Sequence, residues 1–174
     1  PNQAKLDGLL RTSVHGADLS AAALRGALLS LASLTGDVKV IRSLSDNLRL
    51  GDSLVEGRTL WADKAPTGCD FVIGNPHWEK LRVTRHEFLK ARGAPRHYGM
   101  DYGPGVDDDA LGSRRMEVDA YITALRDRYN IQGTGEYDLY KVFIELAVEL
   151  TCAGGQFLLI VPAGLIRSEG TAHL

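Results

Sequence analysis

The sequence predicts an α/β fold: a mostly parallel sheet with helices on both of its faces. Two observations carry this expectation. Short runs rich in β-branched and aromatic residues alternate with longer segments of helical spacing, the pattern of strand–helix–strand units. Three of the runs end on an acid or an amide, at Asp18, Asp52 and Asn75, and ligands of open parallel sheets bind at the carboxyl ends of the strands. With 174 residues and a 44% hydrophobic share, the chain can build one domain with a real core.

Val14 to Leu19 reads as a short strand that reaches an acid at Asp18. Ser20 is placed to cap an Ala- and Leu-rich helix, Ala21 to Leu34, and Gly36 to end it. Asn47 to Asp52 reads as a second strand ending in an acid. Cys69-Asp70-Phe71-Val72-Ile73, closed by Gly74, reads as a third strand, buried because it is apolar and β-branched. Tyr98 to Gly112 breaks the rhythm with glycines and Asp107-Asp108-Asp109, which predicts a mobile loop or insertion over about 98–113. A helix is expected from Arg114 to Tyr129. Another is expected from Tyr137 to Leu150, where Leu139, Val142, Phe143, Leu146, Ala147 and Leu150 share a face. Ala153-Gly154-Gly155 is expected to turn the chain into a buried strand, Gln156 to Val161, closed by Pro162.

A formal net charge of -2 excludes a uniformly basic nucleic-acid-coating protein. The charge is uneven, however. Between Glu79 and Arg96 six basic residues face two acids, directly after Asn75-Pro76-His77-Trp78. A solvated helix face is the plain reading of such a run; next to a base-binding loop, phosphate contact by Lys80, Arg82 and Arg85 is the stronger one. Cys69 and Cys152 lack the spacing and the histidine neighbours of a zinc site, and read as reduced core thiols of a cytoplasmic protein. No apolar run is long enough to span a membrane.

The third strand delivers Asn75, Pro76 and Trp78 to its end. An amide oxygen, a bare backbone carbonyl and a large ring are what is needed to hold a flat base that carries an exocyclic amine. On these residues the chain resembles the amino-methyltransferases, whose signature is Asn-Pro-Pro-aromatic, and above all the DNA adenine-N6 branch; His77 stands where the second proline usually does. Tyr137-Asp138-Leu139-Tyr140, with Phe143 and Glu145, is similar to the helix of adenine methyltransferases in fused restriction–modification and phage-defence enzymes. Gly154-Gly155 and the run from Phe157 to Pro162 are similar to the strand that follows it there.

The resemblance implies a Rossmann-like class I methyltransferase domain, S-adenosylmethionine as cofactor, and double-stranded DNA with a flipped adenine as substrate. Asp18 suits the ribose hydroxyls of a bound nucleotide, although a helix cap explains an acid there equally well. Asp52 and Ser53 would meet the adenine end of the cofactor. Asn75 and Pro76 would each accept an N–H of the target amine, localising its lone pair, while Trp78 stacks on the base and His77 lies beside it. The plainer reading of Trp78 is a hydrophobic plug beneath the following helix, and His86 and His97 read as surface residues. The family's Gly-rich turn and first strand do not precede Asp18. The expectation is therefore a partial catalytic domain, residues 1–174, partnered by the rest of the same protein: the N-terminal cofactor motif and a target-recognition domain. Two alternatives stay open: a protein-glutamine or ribosomal RNA guanine-N2 methyltransferase, and a degenerate module that binds nucleic acid or a partner without catalysis.

Overall fold

The computed structural model describes residues 2–78, 81, 83, 88, 108–130 and 137–166. The chain divides into two compact units, Pro1–Cys69 and Asp70–Leu174, each treated by itself below.

In the first unit, α1 (Gln3–Thr12), β1 (Gly16–Asp18), α2 (Ala21–Ala32), α3 (Val38–Asn47), β2 (Leu48–Leu50) and α4 (Ser53–Glu56) follow one another, and a 3-10 turn, Gly57–Trp61, closes the series. Every one of these α-helices begins on a small polar side chain that accepts from an otherwise orphaned N–H: Asn2 from Ala4, Ser20 from Ala23, Asp37 from Lys39, and Asp52 from both Leu54 and Val55. Helix α2 stops at Ala32, two residues before the expected Leu34, where i→i−4 bonding gives way to i→i−3 bonds from the Leu34 N–H to Leu31 and from the Thr35 N–H to Ala32. α3 is amphipathic and buries Val40, Leu44 and Asn47 on one face, and α1 buries Leu10; neither helix was expected from the sequence.

β1 and β2 pair in parallel, with Gly16 opposite Leu48, Ala17 opposite Arg49 and Asp18 opposite Leu50. Both strands are three residues long, shorter than the runs that predicted them. The core beside them is Leu10, Val40 and Leu44, with Leu6, Val14, Leu28 and Leu31 packed around it. Buried Asn47 donates its Nδ2 to the Arg11 carbonyl at 3.1 Å, so a polar residue in the interior satisfies the last turn of α1. From β2, Arg49 donates to the Leu60 carbonyl, pairs with Asp63 at 2.6 Å and lies 5.9 Å from the centre of the buried Trp61 ring, tying the 3-10 turn to the strand. His15 approaches the other side of the cluster, its ring 6.2 Å from that of Trp61.

The second unit contains β3 (Cys69–Gly74), α5 (Asp108–Arg128), α6 (Leu139–Leu150), β4 (Thr151–Leu159) and a 3-10 turn, Ala163–Ile166. β3 and β4 are hydrogen-bonded neighbours. Contacts from Cys152 to Asp70 and from Ile160 to Gly74 advance along both segments in the same sense, the parallel arrangement that a crossover through helices produces. Leu111, Leu125 and Tyr129 bury one side of α5 and the residue after it, and Tyr140, Val142, Leu146 and Ala147 bury one side of α6.

Several expectations are corrected here. Residues 108–112 belong to α5 and not to a loop. The rest of the expected mobile loop, up to Asp107, lies outside the described residues. Gly154 and Gly155 lie within β4 and do not form a turn before it; Gly154 takes a φ of 81°, a conformation that favours glycine. The β3 and β4 runs are not buried: Phe71, Ile73, Leu158 and Ile160 are more than half exposed, because a sheet of two strands leaves much of its surface uncovered. The thiols are half-buried in these strands and not in a core, and Cys152 donates to the Asp70 carboxylate at 3.6 Å. Helices and strands are thus mixed as expected, and among the described residues the strands pair as two two-stranded sheets. Among the described residues, no helix is long and apolar enough to cross a membrane.

Two outcomes follow from this packing. Leu44 is fully buried, so Leu44→Ala should lower the stability of the first unit by about 2–5 kcal/mol in urea titrations. Burial pushes the His15 pKa below its usual 6.5, helped by Lys64 and Arg49 and opposed by the Thr12 backbone and Asp63. The folded state therefore binds fewer protons here than the unfolded chain. Stability should be complete above about pH 6.5 and fall as the pH drops from there through the lowered folded value. Thermal melts between pH 5 and 8 should show a smaller loss for His15→Gln than for the unaltered protein; equal losses would remove His15 as the cause.

Candidate functional site

The segment Asn75-Pro76-His77-Trp78 leaves the carboxyl end of β3 and is held at both ends by one residue. The Ile160 N–H donates to the Gly74 carbonyl at 3.1 Å, and the Ile160 carbonyl accepts the Trp78 indole N–H, also at 3.1 Å. Gly74 allows the close approach: a Cβ there would lie 3.0 Å from a methyl carbon of Leu159. Pro76 is buried, which roots the middle of the segment, while Asn75, His77 and Trp78 are exposed. Among the described residues no partner engages the Asn75 amide, so its oxygen and nitrogen face solvent at a strand end. The Trp78 ring is 52% exposed although its N–H is pinned. It is neither a buried plug nor a freely rotating side chain; it is a ring with one edge fixed and much of its surface accessible.

Three residues further on, the Leu81 N–H donates to the carbonyl of Tyr137 at 3.2 Å, immediately before α6. The start of the Asp-Leu-Tyr helix and the end of β4 therefore both support the chain that passes through the Asn-Pro segment. Neither Ile160 nor Tyr137 was singled out from the sequence as a site residue. Both contribute through backbone atoms, which carry no residue-type signal.

Asp18 and Asp52 lie at the carboxyl ends of the paired strands β1 and β2, and the Gly51 N–H donates to the Asp18 carbonyl at 3.2 Å. The parallel pairing brings the two strand ends that carry these acids side by side. Each acid also has a local duty. Asp18 Oδ1 accepts from the Ser20 N–H at 2.6 Å, and Asp52 Oδ1 accepts from Leu54 and Val55 at 2.9 and 3.2 Å. Glu56 returns a carboxylate to the Asp52 N–H at 3.1 Å, a reciprocal cap. A Cβ at Gly51 would meet the Glu56 carboxylate, so a larger residue there would push that side chain away from the cap. Asp18 is exposed; Asp52 and Ser53 are half-buried at the start of α4.

Lys80, Arg82 and Arg85 lie outside the described residues, as do His86 and His97. Among the described residues, no group of three or more His, Cys, Asp or Glu side chains could hold a metal ion. Comparison with protein families, with curated proteins and with solved structures found no match in any of the three.

The caps give a direct test of local structure. Asp52→Ala should cost about 1 kcal/mol in chemical denaturation because two N–H groups lose their acceptor, whereas Asp52→Asn keeps an oxygen there and should cost only a few tenths. This makes Asn the substitution with which to probe any role of the charge in ligand binding.

Proposed function

We propose that the protein transfers a methyl group from S-adenosylmethionine to the N6 amine of an adenine flipped out of double-stranded DNA, as the Rossmann-like class I catalytic part of a restriction–modification or phage-defence enzyme. The observation that carries this reading is the Asn75–Trp78 segment: an exposed amide, a buried proline and an accessible ring, held at a strand end by Ile160. Few ligands other than a flat heterocycle with an amine use that combination of a hydrogen-bond acceptor and a ring face.

The adenine amine is a weak nucleophile because its lone pair is delocalised into the ring. Accepting its two N–H bonds on the Asn75 side-chain oxygen and the Pro76 carbonyl localises that pair and directs it. The cofactor supplies an electrophilic methyl group on a positively charged sulfur. Asp18 accepts from its ribose hydroxyls, and Asp52, with Ser53, from its adenine amine. Trp78 offers its ring to the flipped base, a contact worth roughly 1–3 kcal/mol against the cost of unstacking. Because the indole N–H is already bonded to Ile160, the ring is oriented before the base arrives, which lowers the entropy cost of binding. Lys80, Arg82 and Arg85 contribute phosphate contacts of no sequence preference.

The test is a methyl-transfer assay of the whole protein on DNA, ribosomal RNA and a release factor, with the product identified by mass spectrometry. N6-methyladenine in DNA is the expected product; N2-methylguanine or methylglutamine would assign the protein to the other substrate classes, and no methyl transfer would favour a non-catalytic module. Asn75→Ala should lower kcat roughly 10²–10³-fold while DNA binding survives, since the acceptor matters most as the nitrogen gains positive charge. Trp78→Phe should retain stacking but lose the Ile160 anchor, and so fall between the unaltered protein and Trp78→Ala. Asp18→Asn and Asp52→Asn should each weaken cofactor binding in calorimetry without unfolding the first unit.

A further inference from the structure

The corner where the chain enters α6 holds more polar chemistry than a helix start needs. Asp138 occupies the N-cap position of α6, yet its side chain makes no capping hydrogen bond. Its carboxylate is instead 3.1 Å from the ammonium of Lys141, and the two side chains are 13% and 5% exposed. The Lys141 N–H also donates to the Asp138 carbonyl at 3.1 Å. Next to them Tyr137 is buried, with Arg126 of α5 5.4 Å from its ring centre. Its hydroxyl has no hydrogen-bond partner among the described residues. Burial first, then the nearby Glu145, raises the Tyr137 pKa to about 12, so the ring stays neutral.

A buried ion pair is a poor way to stabilise a helix, because the cost of dehydrating two charges offsets most of their attraction; its best-supported use is to fix one arrangement over others. Here the fixed element is the peptide between Tyr137 and Asp138, locked by the buried ring on one side and by the ion pair on the other. The carbonyl of that peptide receives the Leu81 N–H.

We propose that Tyr137, Asp138 and Lys141 form a positioning corner that holds Leu81 and, through it, the Asn75–Trp78 segment in its working geometry. None of the three touches substrate; they act through Leu81, which in sequence lies between Lys80 and Arg82. This role rests on the adenine-methylation reading for its catalytic consequence but not for its structural one.

The test pairs the single variants Asp138→Leu and Lys141→Met with the double variant. Each single change leaves one buried charge uncompensated and should lower the melting temperature; the double change removes both charges and should restore most of it. In the double variant kcat should still fall roughly 10–100-fold, as expected for a displaced reacting group, with cofactor affinity unchanged. The second readout is independent of activity. In a Trp61→Phe background Trp78 is the remaining tryptophan, and the double variant should make its fluorescence more accessible to acrylamide. Unchanged quenching in a folded double variant overturns the corner, whatever the protein's activity. Altered quenching in a protein without methyl-transfer activity keeps the corner and removes the adenine reading. Altered quenching with unaltered kcat overturns its role in catalysis.

Discussion

The second unit depends on a pair of hydrogen bonds made by one residue. Ile160 gives its N–H to Gly74 and takes the indole N–H of Trp78 on its carbonyl. Backbone groups near a strand end must find partners, and here they find them at both ends of one four-residue segment. The consequence is a loop with a rigid outline and an exposed amide. A proline in its middle removes a backbone donor and fixes one torsion, and its burial leaves Asn75 and Trp78 projecting from a supported base. Tyr137 adds a third point of attachment through Leu81.

The first unit solves a different problem with the same economy. Its two strands are short, and each is followed directly by a helix whose first turn needs acceptors. Asp18 bonds to the Ser20 N–H at the entry to α2, and Asp52 caps α4, so both supply those acceptors from strand ends. An acid that caps is also an acid whose orientation is set, and parallel pairing places the two in neighbouring positions. Both acids thus sit where a strand end becomes a helix start, each with its orientation set by the backbone it caps.

What could be read in the sequence follows from where side-chain identity decides structure. Ser20 as the cap of α2, the strand ending at Asp18, the strand before Asn75 and the helix after Asp138 were legible, because each has a residue-specific cause. Helices α1 and α3 were not read, although α3 buries Val40, Leu44 and Asn47 at helical spacing and both helices open on a small polar cap, Asn2 and Asp37. The glycines of β4 read as a turn because glycine usually breaks strands, and position 154 instead uses its left-handed torsion inside one. Of the candidate site, the residue types were visible and their supports were not. Lys141 sits among apolar neighbours in a helical pattern and reads as a surface lysine; its burial beside Asp138 is a tertiary fact.

The Trp78–Ile160 hydrogen bond joins residues 82 positions apart. A contact of that span closes a long stretch of chain, and the entropy lost on closure must be met before the bond contributes anything. Local elements such as α5 and α6 can form within their own segments; the Asn-Pro segment cannot take its final outline until β4 has docked beside β3. The residues of the Asn-Pro segment are thus made well before the strand that supports them, and a change in β4 can alter their outline without touching them.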